Sequence, residues 1–173
     1  MSTCLIICDM FGVNCTQELA LNDLPAKITN FVNRSKIEHI ISTKFRNNTS
    51  SALYTLGINT EIGTEEQTKL VEVIEDMSEQ IFERDTFTCL TDEVWNYIKE
   101  NDITTVYLVG IGTETCIYKS ALDFVERHIS VYIPVDLCGS TDGDLTNISG
   151  MLALIAALGE KRIVVADENE TIY

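Results

Sequence analysis

A cysteine at the start of a predicted helix is the strongest candidate for chemistry in this sequence. Residues 110–116 read GIGTETC and directly follow an apolar run, TVYLV, over residues 105–109. Gly110 and Gly112 let the backbone approach a ligand closely, and the unpaired N–H groups at the beginning of a helix favour an anion. The same setting lowers the pKa of a thiol and could hold an oxyanion, so this segment predicts a nucleophilic Cys116.

Two other interpretations of this segment stay open on the residues alone. Cys116 could be a small apolar side chain packed beneath the helix, without a chemical role. The Gly-x-Gly pair could belong to a nucleotide-binding loop. That interpretation is weak, because Thr115 stands where the motif requires its third glycine.

Charged residues follow two other predicted strands. Asp9 comes directly after the apolar run over residues 3–8, and it could act as a general base or simply as a turn or cap residue. Arg84 comes after the run over residues 80–82, and it could clamp a substrate, pair with Asp9 or be an ordinary surface charge. Neither residue decides between these roles by itself.

The elements that would position these residues alternate regularly along the chain. Strands are predicted over residues 3–8, 38–43, 80–82, 105–109, 130–134 and 162–165. Helices are predicted over residues 24–33, 65–76, 91–100, 114–126 and 145–158. Strands that are apolar throughout and alternate with helices are typical of a parallel sheet covered on both faces. The prediction is a three-layer α-β-α, doubly wound, Rossmann-like α/β fold with about six parallel strands and ligands beyond their carboxyl ends.

Length and charge restrict the class of protein. The 173 residues suit one domain spanning residues 1–173, with a polar tail over about 167–173. The formal net charge of -15 repels phosphate backbones and anionic lipids, so neither a nucleic acid nor a membrane is expected as a partner. No apolar stretch approaches membrane length, and the run over residues 4–8 is too short for a signal peptide, so a cytoplasmic protein is expected. The six cysteines, with no CxxC pair, are interpreted as free thiols.

Four stretches of the sequence suggest a family when they are taken in order. They read LIICDM, ISTKF, FERDTFTCLTDEVWNYI and VYLVGIGTETCIYKSALDFVERHISVYIPVDLCGS. Together they resemble the isochorismatase-like cysteine hydrolases, the superfamily that includes nicotinamidases and N-carbamoyl amidohydrolases. The resemblance runs from Cys4 to about Val165, and the stretch around Cys116 is its most specific part.

The resemblance implies a role for residues in several of these stretches. Asp9 matches the family's general base and Cys116 its nucleophile, while the backbone N–H groups of Gly112 and Cys116 match its oxyanion hole. A cis peptide bond is implied between Ile111 and Gly112. Arg84 falls where the family has a catalytic lysine; it keeps the positive charge but is larger, planar and unable to lose its proton. The candidate pocket-lining residues are Phe11, Phe45, Phe87 and Cys138.

The resemblance also implies an activity, which is hydrolysis of an amide or ureido C–N bond of a small metabolite through a thioester. Arg84 leaves an alternative, a catalytically impaired member that binds a small molecule or serves as an assembly scaffold. A flavodoxin-like nucleotide-binding domain is a more distant third, because a phosphate loop is missing. Residues 43–48 read TKFRNN, without the Asp-x-His-x-x-His metal site of nicotinamidases, so no metal and no other cofactor is expected. Because family members are commonly dimers or larger, a homo-oligomer is expected.

Overall fold

The computed structural model describes residues 2–166, so the predicted polar tail over 167–173 lies outside the described residues. The strands are β1 (Ser2–Cys8), β2 (His39–Phe45), β3 (Gln80–Arg84), β4 (Ile103–Ile111), β5 (Ser130–Pro134), β6 (Cys138–Gly139) and β7 (Ile163–Val164). The helices are α1 (Leu24–Arg34), α2 (Ala52–Thr55), α3 (Glu72–Met77), α4 (Asp92–Glu100), α5 (Tyr118–Glu126) and α6 (Asp144–Leu158), and a π-helical turn (Thr113–Ile117) leads into α5. None of the helices within residues 2–166 is long and apolar enough to cross a membrane.

The strands form one parallel sheet in the order β3-β2-β1-β4-β5-β7, with β6 paired to the end of β4. Helices α4, α5 and α6 pack on one face, and α1 and α3 pack on the other. The predicted three-layer α-β-α fold is therefore confirmed. Seven strands are present where about six were expected, because β6 has only two residues and no apolar run of its own.

β1 shows how the sheet divides its side chains between two cores. Cys4, Ile6 and Cys8 point toward the core that α4, α5 and α6 complete. Leu5 and Ile7 point toward the core that α1 and α3 complete, and all five side chains are fully buried. β1 is thereby fixed at the centre of the sheet, and the residue that follows it is held by packing on both faces.

The order of strands reverses between β1 and β4, which is where doubly wound sheets bind ligands. Cys8 and Gly110 are partners at this point of the ladder. A Cβ atom on Gly110 would lie 2.2 Å from the carbonyl oxygen of Cys8, and the φ angle of this glycine is +114°. Only glycine permits so close an approach. It brings Asp9, after β1, beside the segment that leads to Cys116.

One predicted helix is shorter than expected. The apolar spacing over residues 65–76 predicts a helix, but only α3 (Glu72–Met77) forms. Leu70 instead makes an antiparallel bridge to Phe11, and the N–H of Val71 donates to the carbonyl oxygen of Met10 at 2.9 Å. These long-range bonds hold the backbone extended, and helical periodicity in the sequence cannot reveal them.

Candidate active site

Asp9 is held in an unusual backbone conformation at the end of β1. Its φ angle is +55°, in the left-handed region that residues with a Cβ atom seldom adopt. The carboxylate is buried, and its Oδ1 accepts a hydrogen bond from the backbone N–H of Phe45 at 2.7 Å. The surrounding structure thus fixes this carboxylate in place, as is common for strained residues at functional sites.

Arg84 ends β3 with its guanidinium buried beside that carboxylate. The side chain donates through Nη2 to Oδ2 of Asp9 and through Nη1 to the carbonyl oxygen of Thr86. The residue is only 4% exposed, and its Nε has no hydrogen-bond partner among the described residues. Burial lowers the pKa of Arg84, but the negative charges of Asp9 and of a Cys116 thiolate more than offset this, so the pKa is raised. The guanidinium therefore stays charged, and its interaction with Asp9, which the sequence left as one of three options, is formed.

Cys116 lies in the π-helical turn rather than in a regular first turn of α5. The turn opens at Gly112, whose carbonyl oxygen accepts from the N–H of Ile117 at 3.0 Å, and π-helical turns are often found at functional sites. Ser120 donates to the carbonyl oxygen of Cys116 at 2.6 Å and accepts from the N–H of Cys89 at 2.8 Å. This buried hydroxyl joins the turn to the segment that follows β3.

The pKa of the Cys116 thiol is raised rather than lowered. Burial raises it to about 12, the negative charge of Asp9 adds to the rise, and Arg84 opposes it. The position of Cys116 at the start of a helix predicted a thiolate, and this prediction is wrong. The cost of desolvating a charged sulfur outweighs the favourable field of the helix end. The thiol is protonated at neutral pH and needs a base in order to react.

The backbone next to the nucleophile differs from the prediction in two ways. No cis peptide bond occurs within residues 2–166, so the expected cis bond between Ile111 and Gly112 is wrong. Gly112 instead turns the chain with a left-handed conformation, φ +87° and ψ +53°, which a glycine adopts without the cost of a non-proline cis bond. Its N–H donates to the carbonyl oxygen of Gly139 at 2.9 Å and is therefore not free to bind an oxyanion. The Cys116 N–H remains as a predicted oxyanion donor.

A cavity of about 240 Å³ lies in front of Asp9 and Cys116. Three of the predicted lining residues, Phe11, Phe45 and Phe87, do line it. The rings of Phe45 and Phe87 are stacked with their centroids 6.4 Å apart, and the Phe45 ring also lies 5.6 Å from the Arg84 guanidinium carbon. These rings form an apolar part of the cavity wall.

Cys138 does not line this cavity, contrary to the prediction. Its Sγ lies 3.3 Å from the carbonyl oxygen of Pro134 and 3.7 Å from that of Leu108, so the thiol points into the core. The short 3₁₀ turn Val135–Leu137 between β5 and β6 sets this direction. A position at the carboxyl end of a strand therefore did not suffice to place the side chain in the site.

Several polar residues of the site were missed by sequence reasoning. The additional polar lining residues are Asn14, Asn59, Glu61, Glu114, Thr115, Thr141 and Asp142. Buried Asn47 positions one part of this wall, because its Nδ2 donates to the carbonyl oxygens of Ile58 at 2.8 Å and Asn59 at 3.1 Å. An asparagine two residues after the end of β2 is the one sequence signal for this loop, and it does not indicate what the loop faces.

Helix α6 supports the turn that carries the nucleophile. A Cβ atom on Gly150 would lie 2.7 Å from the backbone nitrogen of Glu114, so the helix and the turn are in backbone contact. Within the described part of the chain, no three His, Cys, Asp or Glu side chains are grouped so that they could hold a metal ion. The chemistry available from these residues is therefore a thiol, a carboxylate and a fixed cation around one small cavity.

Known structures share this arrangement of strands and helices. An isochorismatase-like hydrolase from Alkaliphilus metalliredigens matches with a TM-score of 0.78 and 15% identity over 97% of each chain. The N-carbamoylsarcosine amidase of Thermoplasma acidophilum gives a TM-score of 0.76 with 15% identity, covering 98% of this chain and 99% of its own. A nicotinamidase of Bacillus subtilis gives 0.73 with 16% identity, covering 95% and 99%. At these identities the likeness establishes the fold.

Sequence comparison links the chain to a family. Isochorismatase family protein 1A of Dictyostelium discoideum is 34% identical over 67 residues, which is 38% of this chain and 32% of that protein. A nicotinamidase of Acinetobacter baylyi is 39% identical over 46 residues, or 27% of this chain and 22% of its own. The matches thus span a third or less of these relatives. The model of the isochorismatase domain, however, matches residues 3–158, which is nearly the whole chain. The chain therefore belongs to the isochorismatase family.

Proposed function

We propose that this protein is a cysteine-dependent hydrolase that cleaves an amide or ureido C–N bond of a small molecule. The observation that carries the proposal is that Asp9 and Cys116, which follow two different strands, line one cavity, while Arg84 from a third strand holds the Asp9 carboxylate. Two of the similar structures, a nicotinamidase and an N-carbamoylsarcosine amidase, bear names that describe cleavage of such bonds. The size of the cavity, about 240 Å³, suits a metabolite rather than a polymer.

The reaction we propose has two halves. In the first, Asp9 takes the proton of the Cys116 thiol, the sulfur attacks the carbonyl carbon, and the C–N bond breaks as Asp9 returns the proton to the leaving nitrogen. The product of this half is a thioester on Cys116 and a free amine or ammonia. In the second half, Asp9 deprotonates a water molecule, which attacks the thioester carbon. The C–S bond breaks, the sulfur regains a proton, and the acid is released.

Arg84 sets the balance between the two ionisable groups in this mechanism. Its charge favours the anionic form of Cys116, which assists formation of the thiolate. Its hydrogen bond to Asp9 also occupies one carboxylate oxygen of the proposed base. Since burial holds the pKa of the resting Cys116 thiol above its ordinary value, the thiol depends on Asp9 to remove its proton. A slow enzyme, or one fitted to a substrate of a particular shape, follows from this balance.

A panel of small amides and ureido compounds tests the proposal, with release of ammonia or amine as the measurement. At least one compound should be turned over by the wild type and not by Cys116→Ser. The matched control is Cys15→Ser, which removes a half-buried thiol outside the cavity and should leave turnover unchanged. Turnover that survives in Cys116→Ser would contradict the proposed nucleophile.

A second candidate function is binding without catalysis, which the buried Arg84–Asp9 ion pair favours because it occupies the proposed base. The change Arg84→Lys separates the two. If the site has lost its activity, lysine should raise hydrolysis of simple amides above that of the wild type. If arginine is part of a working site, lysine should lower turnover and leave alkylation of Cys116 intact.

We also propose that the protein forms a homo-oligomer through α6. Leu145, Ile148 and Leu152 are 81%, 53% and 61% exposed, and their spacing of three and four residues puts them on one stripe of the helix. Apart from Asp144 at its first position, α6 has no charged residue, so a second copy can approach this helix without the repulsion that a net charge of -15 causes elsewhere.

Sedimentation equilibrium should give a dimer or larger, and Leu152→Glu should give monomers. The change Val13→Glu, at another exposed apolar residue, should not, and a monomeric wild type would overturn this proposal.

A further inference from the structure

Besides Asp9, three carboxylates line the cavity in front of Cys116. Glu61, Glu114 and Asp142 line it, whereas no lysine or arginine of the described residues does. Arg84 lies behind the wall, and its charge is balanced by its contact with Asp9. The lining of the cavity that holds Cys116 is therefore negatively charged.

These charges are not balanced by neighbours. Within residues 2–166, none of the three carboxylates lies within 4.0 Å of a lysine, arginine or histidine nitrogen. Oε1 of Glu114 accepts one hydrogen bond from the Ser140 hydroxyl at 3.1 Å, while its Oε2 is buried without any donor from the described residues. Leaving a carboxylate oxygen without a donor is costly, and the cost falls when a cation is near.

The three carboxylates come from separate parts of the chain and not from one acidic run. Glu61 lies in the loop that Asn47 holds through the carbonyl oxygens of Ile58 and Asn59. Glu114 belongs to the π-helical turn, and Asp142 follows β6, where its backbone N–H donates to the Ser140 hydroxyl at 3.1 Å. Their convergence is a product of the fold, and it occurs at the cavity that already contains the thiol.

The field inside such a cavity is stronger than on an open surface. The stacked rings of Phe45 and Phe87 form an apolar part of its lining, and charges beside such low-dielectric walls are screened less than they would be in bulk solvent. A substrate with a carboxylate would meet three like charges, whereas an ammonium or guanidinium group would be attracted by all three. Resting on the hydrolase function proposed above, we infer that the substrates are positively charged amides or ureido compounds, with the cationic group seated among Glu61, Glu114 and Asp142.

Charged thiol reagents test this inference without knowledge of the substrate. The protein is treated with a cationic methanethiosulfonate (trimethylammonioethyl) or an anionic one (sulfonatoethyl) at low ionic strength, and modification of each cysteine is followed by peptide mass spectrometry. Cys15 is the internal control, because it lies in another surface depression whose lining residues carry no charge. At Cys15, the ratio of the modification rates with the cationic and the anionic reagent measures the effect of the net charge of the whole molecule. Any larger ratio at Cys116 measures the additional effect of the charges that line the cavity.

The cationic preference should be about tenfold larger at Cys116 than at Cys15, and it should shrink in concentrated salt. Glu114→Gln and the surface double variant Glu61→Gln/Asp142→Asn should each reduce it several-fold. Glu66→Gln removes an equal charge outside the cavity and should not change it. Should Glu114→Gln fail to fold, the exposed double variant still decides.

Two results would overturn the inference, and only the second would also contradict the hydrolase proposal. If Cys116 is modified but its preference equals that of Cys15, or does not respond to the double variant, the cavity does not select for positive charge while the proposed nucleophile stands. If neither reagent modifies Cys116 while Cys15 reacts, Cys116 is not an accessible nucleophile. This result would contradict the hydrolase proposal as well as the inference.

Discussion

Cys116 and Cys138 both follow strands at the carboxyl edge of the same sheet, but only Cys116 lines the candidate cavity. Cys116, after β4, lies in a turn facing a cavity and interacts electrostatically with Asp9 and Arg84. Cys138, after β5, points its thiol at the carbonyl oxygens of Leu108 and Pro134 in the core. The difference is one of neighbours and direction. A thiol at the ligand-binding edge of a sheet becomes a candidate nucleophile only where a base and a cation are also held there.

Removing each thiol in turn gives the largest expected contrast. Cys116→Ser should reduce turnover by about a thousandfold or more, because the hydroxyl is a much weaker nucleophile with the same neighbours. Cys138→Ser should change turnover by less than about threefold, since that thiol does not reach the cavity, and should act mainly on stability. Steady-state kinetics on one substrate of the panel measures both. Equal losses of turnover in the two variants would show that Cys116 and Cys138 do not differ in their role.

The cation behind Cys116 should matter more for stability than a cation at the edge of the same region. Arg84→Met leaves the buried Asp9 without its partner and should cost about 3–5 kcal/mol in the free energy of unfolding. Arg46→Met removes a partly exposed arginine whose Nε lies 3.0 Å from Glu83, and should cost at most about 1 kcal/mol. Urea unfolding followed by circular dichroism measures the two values. A loss below 1 kcal/mol at Arg84 would mean that the ion pair is not buried as described.

The contact between α6 and the turn that carries Cys116 predicts a smaller loss of stability than that expected for Arg84→Met. Alanine favours a helix over glycine by about 1 kcal/mol, but at Gly150 the added methyl group would press on the backbone of Glu114 and should destabilise by about 1–3 kcal/mol. The same clash should displace the turn and lower turnover several-fold. Gly63→Ala, whose Cβ would lie at an ordinary 3.5 Å from the Asn47 carbonyl oxygen, is the control. Unchanged turnover in Gly150→Ala would show that α6 does not position the nucleophile.

The raised pKa of Cys116 predicts a pH dependence of stability in the alkaline range. The ordinary thiol pKa is 9.0, and burial raises that of Cys116 to about 12. The unfolded chain therefore loses this proton at a lower pH than the folded protein does. The contribution of Cys116 to stability is complete below about pH 9 and is lost as the pH rises toward 12, with a slope of at most about 1.4 kcal/mol per pH unit. Urea unfolding from pH 8 to 10.5 should show a shallower decline for Cys116→Ala than for the wild type, and identical slopes would contradict the raised pKa.

The sequence predicts the sheet well because its signal is local. Apolar runs mark six of the seven strands, and only the two residues of β6 carry no such run. The helix expected over residues 65–76 is shortened because Lys69 and Val71, on either side of Leu70, form backbone hydrogen bonds to residues just after β1. Bonds between distant segments leave no periodic pattern, so this part of the chain could not be predicted from spacing.

The arrangement of the candidate site was predictable where the end of a strand fixes the position of a residue. Asp9, Arg84 and Cys116 each follow or end a strand, and the sheet brings such positions together. The trans bond before Gly112 and the inward direction of Cys138 depend on backbone angles that the sequence does not specify. Glu61 and Asp142 reach the cavity on loops, and loop paths are set by contacts such as those of Asn47. The charges that we expect to select the substrate were therefore the least predictable part of the site.

Trapping the covalent intermediate tests the central claim most directly. A substrate from the amide panel is mixed with the protein, the reaction is quenched in acid within its first turnovers, and the chain is digested and mapped by mass spectrometry. We predict an acyl group on the peptide that contains Cys116, removable by hydroxylamine as a thioester is, and absent in Cys116→Ser. An acyl group on another cysteine, or turnover by the wild type without any acylated peptide in a substrate-saturated sample, would contradict the account.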